Sequence, residues 1–221
     1  MTHGYKLFLI LAITLAGNIA CSVFADSFPL PTKAPVLSDP ELSQLRKGHV
    51  LAQDVPYLQG TDDLKAVQIK IMIDRPVEQV WQALQDQEAL FRGEKHLKQV
   101  KLIKKTGSTA QLVEYSLQIS RFLPLFVYTA QVDYLAGRKS TQFSRLSGSF
   151  KSFYGLCHLT PVDSGNKTVM TYTLSVDPGF FIPNFLVRQS LKGEIPQILT
   201  FVKSRVYSQF PAIVSRQNTS K

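Results

Sequence analysis

A bracket in the chain limits what it can fold into: one strand-to-helix entry, a long strand-rich stretch, and one last long helix. The entry reads Ile69-Lys70-Ile71-Met72-Ile73-Asp74-Arg75-Pro76-Val77-Glu78-Gln79-Val80-Trp81, and the closing segment runs from Thr168 through Asp177-Pro178-Gly179 to Phe210. A sheet with one long helix at its end buries that helix against its concave face, and a long curved sheet rarely closes tightly enough to leave no space. The bracket therefore predicts a cavity before it predicts any chemistry.

Periodicity fills in the elements. Leu64 to Ile73 reads as a strand with Ile69, Ile71 and Ile73 on one face and Lys70 on the other. Asp74 is expected to cap a helix with Pro76 and Glu78 in its first turn and Val77, Val80, Trp81 and Leu84 along its buried stripe. A short helical piece follows around Glu88 to Glu94. Strands are then expected over Val100–Lys104, Gln111–Ile119, Phe126–Leu135, Ser140–Leu146, Phe150–Thr160 and Thr168–Val176, with short turns between them. Short connections make neighbours antiparallel. The expected class is α+β: a seven-stranded antiparallel curved sheet wrapped around a long C-terminal helix, with two short helices after the first strand.

In that last helix, Pro183 is expected to open a segment reaching Leu191, Gly193 to end it, and Pro196 to start a second segment running to Ser208. Ile195, Leu199, Val202 and Val206 share one face.

Residues 1–25 read as a secretory signal, with Lys6, an apolar run from Leu7 to Ala16, and Val23-Phe24-Ala25 at the cleavage site. The apolar run is shorter than the roughly 20 residues a membrane span needs. An alternative processing route cleaves before Cys21 and lipidates it, on the strength of Ala20-Cys21. The localisation expected is exported, periplasmic or envelope-associated. Residues 26–63 form a Pro-rich lead-in in which Asp39–Leu45 reads as one or two helical turns and His49–Val55 could form an edge strand. The ligand-binding domain is expected over 64–210, with a tail at 211–221.

The chain of 221 residues carries a formal net charge of +9, or +8 once Lys6 leaves with the signal. Such an excess favours anionic partners, and export selects a phospholipid surface over nucleic acid. Cleavage after Ala25 leaves Cys157 as the sole cysteine, so no internal disulfide is expected, and its apolar neighbours make it a buried small hydrophobe.

Three segments carry a family resemblance. Ile73–Trp81 is similar to a strand end followed by a proline and a Val-Trp opening helix, and Gly155-Leu156-Cys157-His158-Leu159-Thr160-Pro161 is similar to a Gly-x-Trp-x-Leu-x-Pro strand, with Cys157 in place of Trp. Thr168–Tyr172, then Asp177–Pro183, look like a last strand and its exit into a C-terminal helix. In this order they resemble the START-like, helix-grip superfamily, which includes Bet v 1 relatives, polyketide cyclases and coenzyme Q-binding START-like proteins. The resemblance covers Lys65 to Tyr207 and implies a deep apolar pocket for a lipid, quinone, sterol or polyketide.

Candidate pocket residues are Trp81, Tyr115, Leu117, Tyr172, Leu174, Leu199, Val202 and Val206; Trp81 has a place in the core as its alternative. Strand parity puts three connections at one end of the sheet, where Arg121, Phe122, Leu123, Phe180, Phe181, Ile182 and Arg188 are expected to form the pocket mouth and meet an anionic membrane. Phe126, Phe150 and Phe185 belong to the same cluster. Packing of these loops on one another, or beneath the lead-in of residues 26–63, is the alternative.

The residues hold no HExxH, paired cysteines, GxSxG or glycine-rich phosphate loop, so no metal, cofactor or catalytic nucleophile is expected. His49, His96 and His158 are scattered, while Arg121, Arg145, His158, Tyr115, Tyr128, Tyr154 and Tyr172 are polar groups that could orient a ligand or move a proton. Two functions stay open: a monomeric, non-catalytic module that binds or transfers a hydrophobic small molecule, and a cyclase- or aromatase-like enzyme.

Overall fold

The computed structural model describes residues 35–56, 66–118, 124–179 and 184–211. Residues 1–25, expected to be a secretory signal, and most of the tail lie outside them. The elements are α1 (Asp39–Arg46), β1 (Leu51–Val55), β2 (Ala66–Ile73), α2 (Val77–Leu84), α3 (Gln87–Phe91), β3 (Leu97–Thr106), β4 (Ala110–Leu117), β5 (Phe126–Leu135), β6 (Ser140–Gly148), β7 (Ser152–Val162), β8 (Lys167–Asp177) and α4 (Asn184–Gln209). One antiparallel sheet runs in the order β1-β2-β8-β7-β6-β5-β4-β3, open between its edges β1 and β3.

The sheet has eight strands where seven were expected. The extra one is β1, from the lead-in, paired with β2 from Leu51 opposite Lys70 to Val55 opposite Ala66. β1 falls within the His49–Val55 stretch that could form an edge strand; it is largely exposed, without apolar alternation, and Asp54 adds ion pairs to Arg188 and Lys192 beside its backbone pairing.

β2 is buried on both faces. Val67, Ile69, Ile71 and Ile73 enter the main core with α2 and α4, whereas Met72 on the reverse face packs with Val169 under Leu45 of α1. Lys70 shares that reverse face and pairs with Glu41 of α1. Burial of the Glu41 carboxyl would raise its pKa, but hydrogen bonds from Lys70 and Ser38 outweigh this and hold it below the usual range.

Two local expectations are corrected. Pro76, not Asp74, occupies the N-cap of α2 and makes no side-chain cap bond. Asp74 instead anchors the end of α4: its backbone N–H donates to the Tyr207 hydroxyl at 3.1 Å, which in turn donates to Asp74 Oδ2 at 2.9 Å. α4 is also a single 26-residue helix with Pro196 inside it rather than two segments. Burial of Leu191, Leu199, Val202 and Val206 along its length outweighs the loss of one backbone donor.

Gly148 allows β6 to turn into β7. Its φ of +108° suits glycine, and a Cβ there would lie 2.3 Å from the Val127 carbonyl oxygen.

Candidate functional site

Between the concave face of the sheet and α4 lies a cavity of about 520 Å³. Its construction follows strand parity. Tyr115 and Leu117 of β4, Phe126 and Tyr128 of β5, Phe153 and Cys157 of β7, and Met170, Tyr172, Leu174 and Val176 of β8 form the sheet wall. Leu186, Val187, Leu191, Ile195, Ile198, Leu199 and Val202 form the helical wall, and Leu84, Leu90 and Phe91 of α2 and α3 close one side.

Of the eight candidate pocket residues, Tyr115, Leu117, Tyr172, Leu174, Leu199 and Val202 come together on this wall. Trp81 and Val206 do not. Trp81 sits in the core, edge-on to Tyr134 with ring centroids 6.0 Å apart, with Lys139 Nζ 5.4 Å from its ring centre. Val206 is fully buried in the last turns of α4. There the Asp74–Tyr207 contact, and a 2.5 Å bond from Arg75 Nε to the Phe210 carbonyl, hold the helix close to the sheet. The cavity therefore follows α4 from Leu186 to Val202 and stops.

Of the expected mouth residues, Arg121, Phe122, Leu123, Phe180, Phe181 and Ile182 lie outside the described residues. The ends that flank them do converge: Lys151 N–H donates to the Asp177 carbonyl at 2.9 Å, and Ser149 N–H to the Val127 carbonyl at 2.8 Å. Phe126 and Phe150 are buried and stacked at 4.9 Å, so these two loop aromatics pack on each other as the alternative reading held. Phe185, Leu125 and Leu186 are exposed, Phe185 by 59%. Arg188 is not a free cation at this rim: its Nε lies 3.6 Å from Asp54 of β1, which Lys192 also meets at 2.6 Å.

Three of the polar candidates reach the cavity and three do not. Tyr115, Tyr128 and Tyr172 line the cavity; Arg145, Tyr154 and His158 do not. His158 lies 2.6 Å from the Ser140 hydroxyl, and burial pulls its pKa down. Arg145 Nη2 donates to the Gly148 carbonyl at 3.0 Å. Burial pushes all three cavity phenols up, so they stay neutral at physiological pH.

One constellation was missed by sequence reasoning. His96 sits between two carboxylates, with Nδ1 2.9 Å from Glu94 Oε1 and Nε2 2.9 Å from Glu194 Oε2. Glu94 Oε2 also accepts the backbone N–H groups of His96 and Leu97. His96 and Glu194 both line the cavity, tying the entry of β3 to α4. Glu94-Lys95-His96 could have been noticed as a two-residue spacing, but nothing in the sequence joins it to Glu194, almost a hundred positions later.

Solved structures of similar fold include the Zhui aromatase/cyclase from Streptomyces sp. R1128 (13% identity over 66% of this chain and 93% of that one, TM-score 0.54). A START superfamily protein from Mycobacterium smegmatis matches at 14% identity, over 65% of this chain and 98% of that one, with a TM-score of 0.58. A STAR-related lipid transfer protein fragment from Xanthomonas axonopodis matches at 17% identity, over 71% and 92% respectively, with a TM-score of 0.56. No curated protein sequence matches the chain. These likenesses establish a helix-grip architecture. The family model described as polyketide cyclase/dehydrase and lipid transport matches residues 73–203, more than half of the chain, and the protein belongs to that START-like family.

Proposed function

We propose that this protein binds a hydrophobic small molecule, lipid, quinone or sterol-like, in the cavity beside α4 and carries it within the bacterial cell envelope. The observation that supports this best is the wall itself: about 520 Å³ lined by aliphatic and aromatic side chains, within the size range of small-molecule sites. Arg145 and His158, two candidates for proton transfer, lie off that wall, which favours a carrier. The secretory reading of residues 1–25 supports the envelope setting. Exposed Phe185 and Leu186 beside the cavity support docking to an anionic membrane, with Phe122, Phe180 and Phe181 as the inserting residues.

A cyclase-like second reading is favoured by one feature, the His96 imidazole held between Glu94 and Glu194 at the cavity wall. Native mass spectrometry of the protein purified from the envelope separates the two. A stoichiometric apolar adduct that survives gentle ionisation is expected for a carrier. A ligand-free protein that cyclises a linear polyketide, and loses that turnover in His96→Gln, would replace the carrier reading with the enzymatic one.

A further inference from the structure

The cavity has a polarity that its apolar wall conceals. The chain has nine more basic than acidic residues, yet among the described residues no lysine or arginine lines the cavity. The basic side chain there is His96, already held by Glu94 and Glu194, and Glu194 adds negative charge to the wall. A carboxylate or phosphate brought inside would lose its hydration and meet no lysine or arginine among the described lining residues.

Two neutral donors face the space instead. The hydroxyls of Tyr128 and Tyr172 line the cavity, and neither has a hydrogen-bond partner among the described residues, whereas Tyr115 donates to Gln87 Oε1 at 3.1 Å. Both rings are held by packing. Tyr128, only 5% exposed, stacks on Tyr115 at 5.3 Å and meets Phe150 and Phe153; Tyr172 stands edge-on to Phe143 at 5.9 Å. Gly155 leaves the room that the Tyr172 hydroxyl needs, since a Cβ there would come within 3.2 Å of it. Burial, then the proximity of Tyr128, raises the Tyr172 pKa, so the phenol keeps its proton. Neither phenol oxygen is closed off among the buried polar atoms, so each opens onto the cavity and can donate to a ligand oxygen placed there.

Resting on the carrier reading above, we infer that the ligand is an uncharged hydrophobe bearing an acceptor oxygen, a ketone, ester or hydroxyl, that takes hydrogen bonds from Tyr128 and Tyr172. Acidic lipids are excluded from the interior of the cavity.

The test is displacement of the neutral apolar dye N-phenyl-1-naphthylamine from the mature protein at pH 8, by dodecan-2-one and by dodecanoate. The ketone should bind at least about tenfold more tightly than the carboxylate. Tyr128→Phe and Tyr172→Phe should each weaken ketone binding about three- to tenfold while leaving dye affinity unchanged, since each removes one hydrogen bond and no packing. Dye affinity also reports that each variant is folded. Equal or tighter binding of dodecanoate overturns the inference and leaves the carrier reading standing. Ketone affinity unchanged in both variants overturns the assignment to these tyrosines. Failure of the wild-type protein to bind either the dye or the ketone overturns both readings together.

Discussion

Replacing Glu41 by Gln tests whether α1, from the lead-in, is part of the domain's stability. Lys70 lies mid-strand in β2 with its side chain 5% exposed, and Glu41, its one ion-pair partner among the described residues, is 23% exposed. Removing the carboxylate's charge leaves an ammonium almost closed from water. Breaking a buried pair costs about 3–5 kcal/mol, and the partial exposure of Glu41 lets some water in, so roughly 2–4 kcal/mol is expected here. For a protein of this size that is a Tm lower by roughly 5–15 °C. The Glu41→Gln, Lys70→Met double variant removes the stranded charge and should recover most of the loss. The pH dependence has a fixed sign: the Glu41 carboxyl is held below its usual value of 4.5, so its contribution is present above that pH and lost as pH falls through the lower folded value. The gap between wild type and Glu41→Gln should stay level down to pH 4.5 and narrow below it. Thermal melts across pH measure both effects. A single-variant shift under about 2 °C, or a double variant no more stable than the single, would refute the reasoning.

Three further outcomes are expected. Phe180→Ser with Phe181→Ser should markedly weaken binding to anionic liposomes in a sedimentation assay with Tm barely moved; a double variant that mainly unfolds marks these loops as structural. His158→Ala and Arg145→Ala should leave dye binding within about twofold, because neither residue lines the cavity, while His158→Ala costs about 1 kcal/mol through its bond with Ser140; the neutral His158 ring contributes its stability above pH 6.5 and loses it as pH falls below, a slope that His158→Ala should remove. Burial pushes the Cys157 thiol up to about 12, so only about one part in ten thousand is thiolate at pH 8, and iodoacetamide should label it at least a hundredfold more slowly in the native protein than in urea; equal rates by peptide mass mapping would place Cys157 outside the core.

The strand succession was legible because each hairpin writes its burial into the sequence. Phe126, Tyr128, Ala130, Val132 and Tyr134 alternate inward along β5, and turn residues such as Asp163-Ser164-Gly165-Asn166 mark where the chain reverses. The same parity pointed to Tyr115, Leu117, Tyr172 and Leu174, and helical spacing to Leu199 and Val202. Continuity of α4 was not legible, because Gly193 and Pro196 are local stop signals that burial of an entire helix face overrides. β1 was legible only as a possible edge strand at His49–Val55, while the ion pairs that tie its Asp54 to Arg188 and Lys192 of α4 were not.

The sequence by itself determined the class of architecture and the faces that turn inward, since both rest on short-range periodicity and turn chemistry. Tertiary structure alone decided where the space ends and what charge it presents. Trp81 and Val206 share the apolar character of their neighbours yet fall beyond the cavity, because α4 is drawn onto the sheet at Tyr207 and Phe210. His96 gains chemical meaning when α4 brings Glu194 to its Nε2. Distances between elements far apart in the chain are set by how whole layers pack, and no local pattern encodes them.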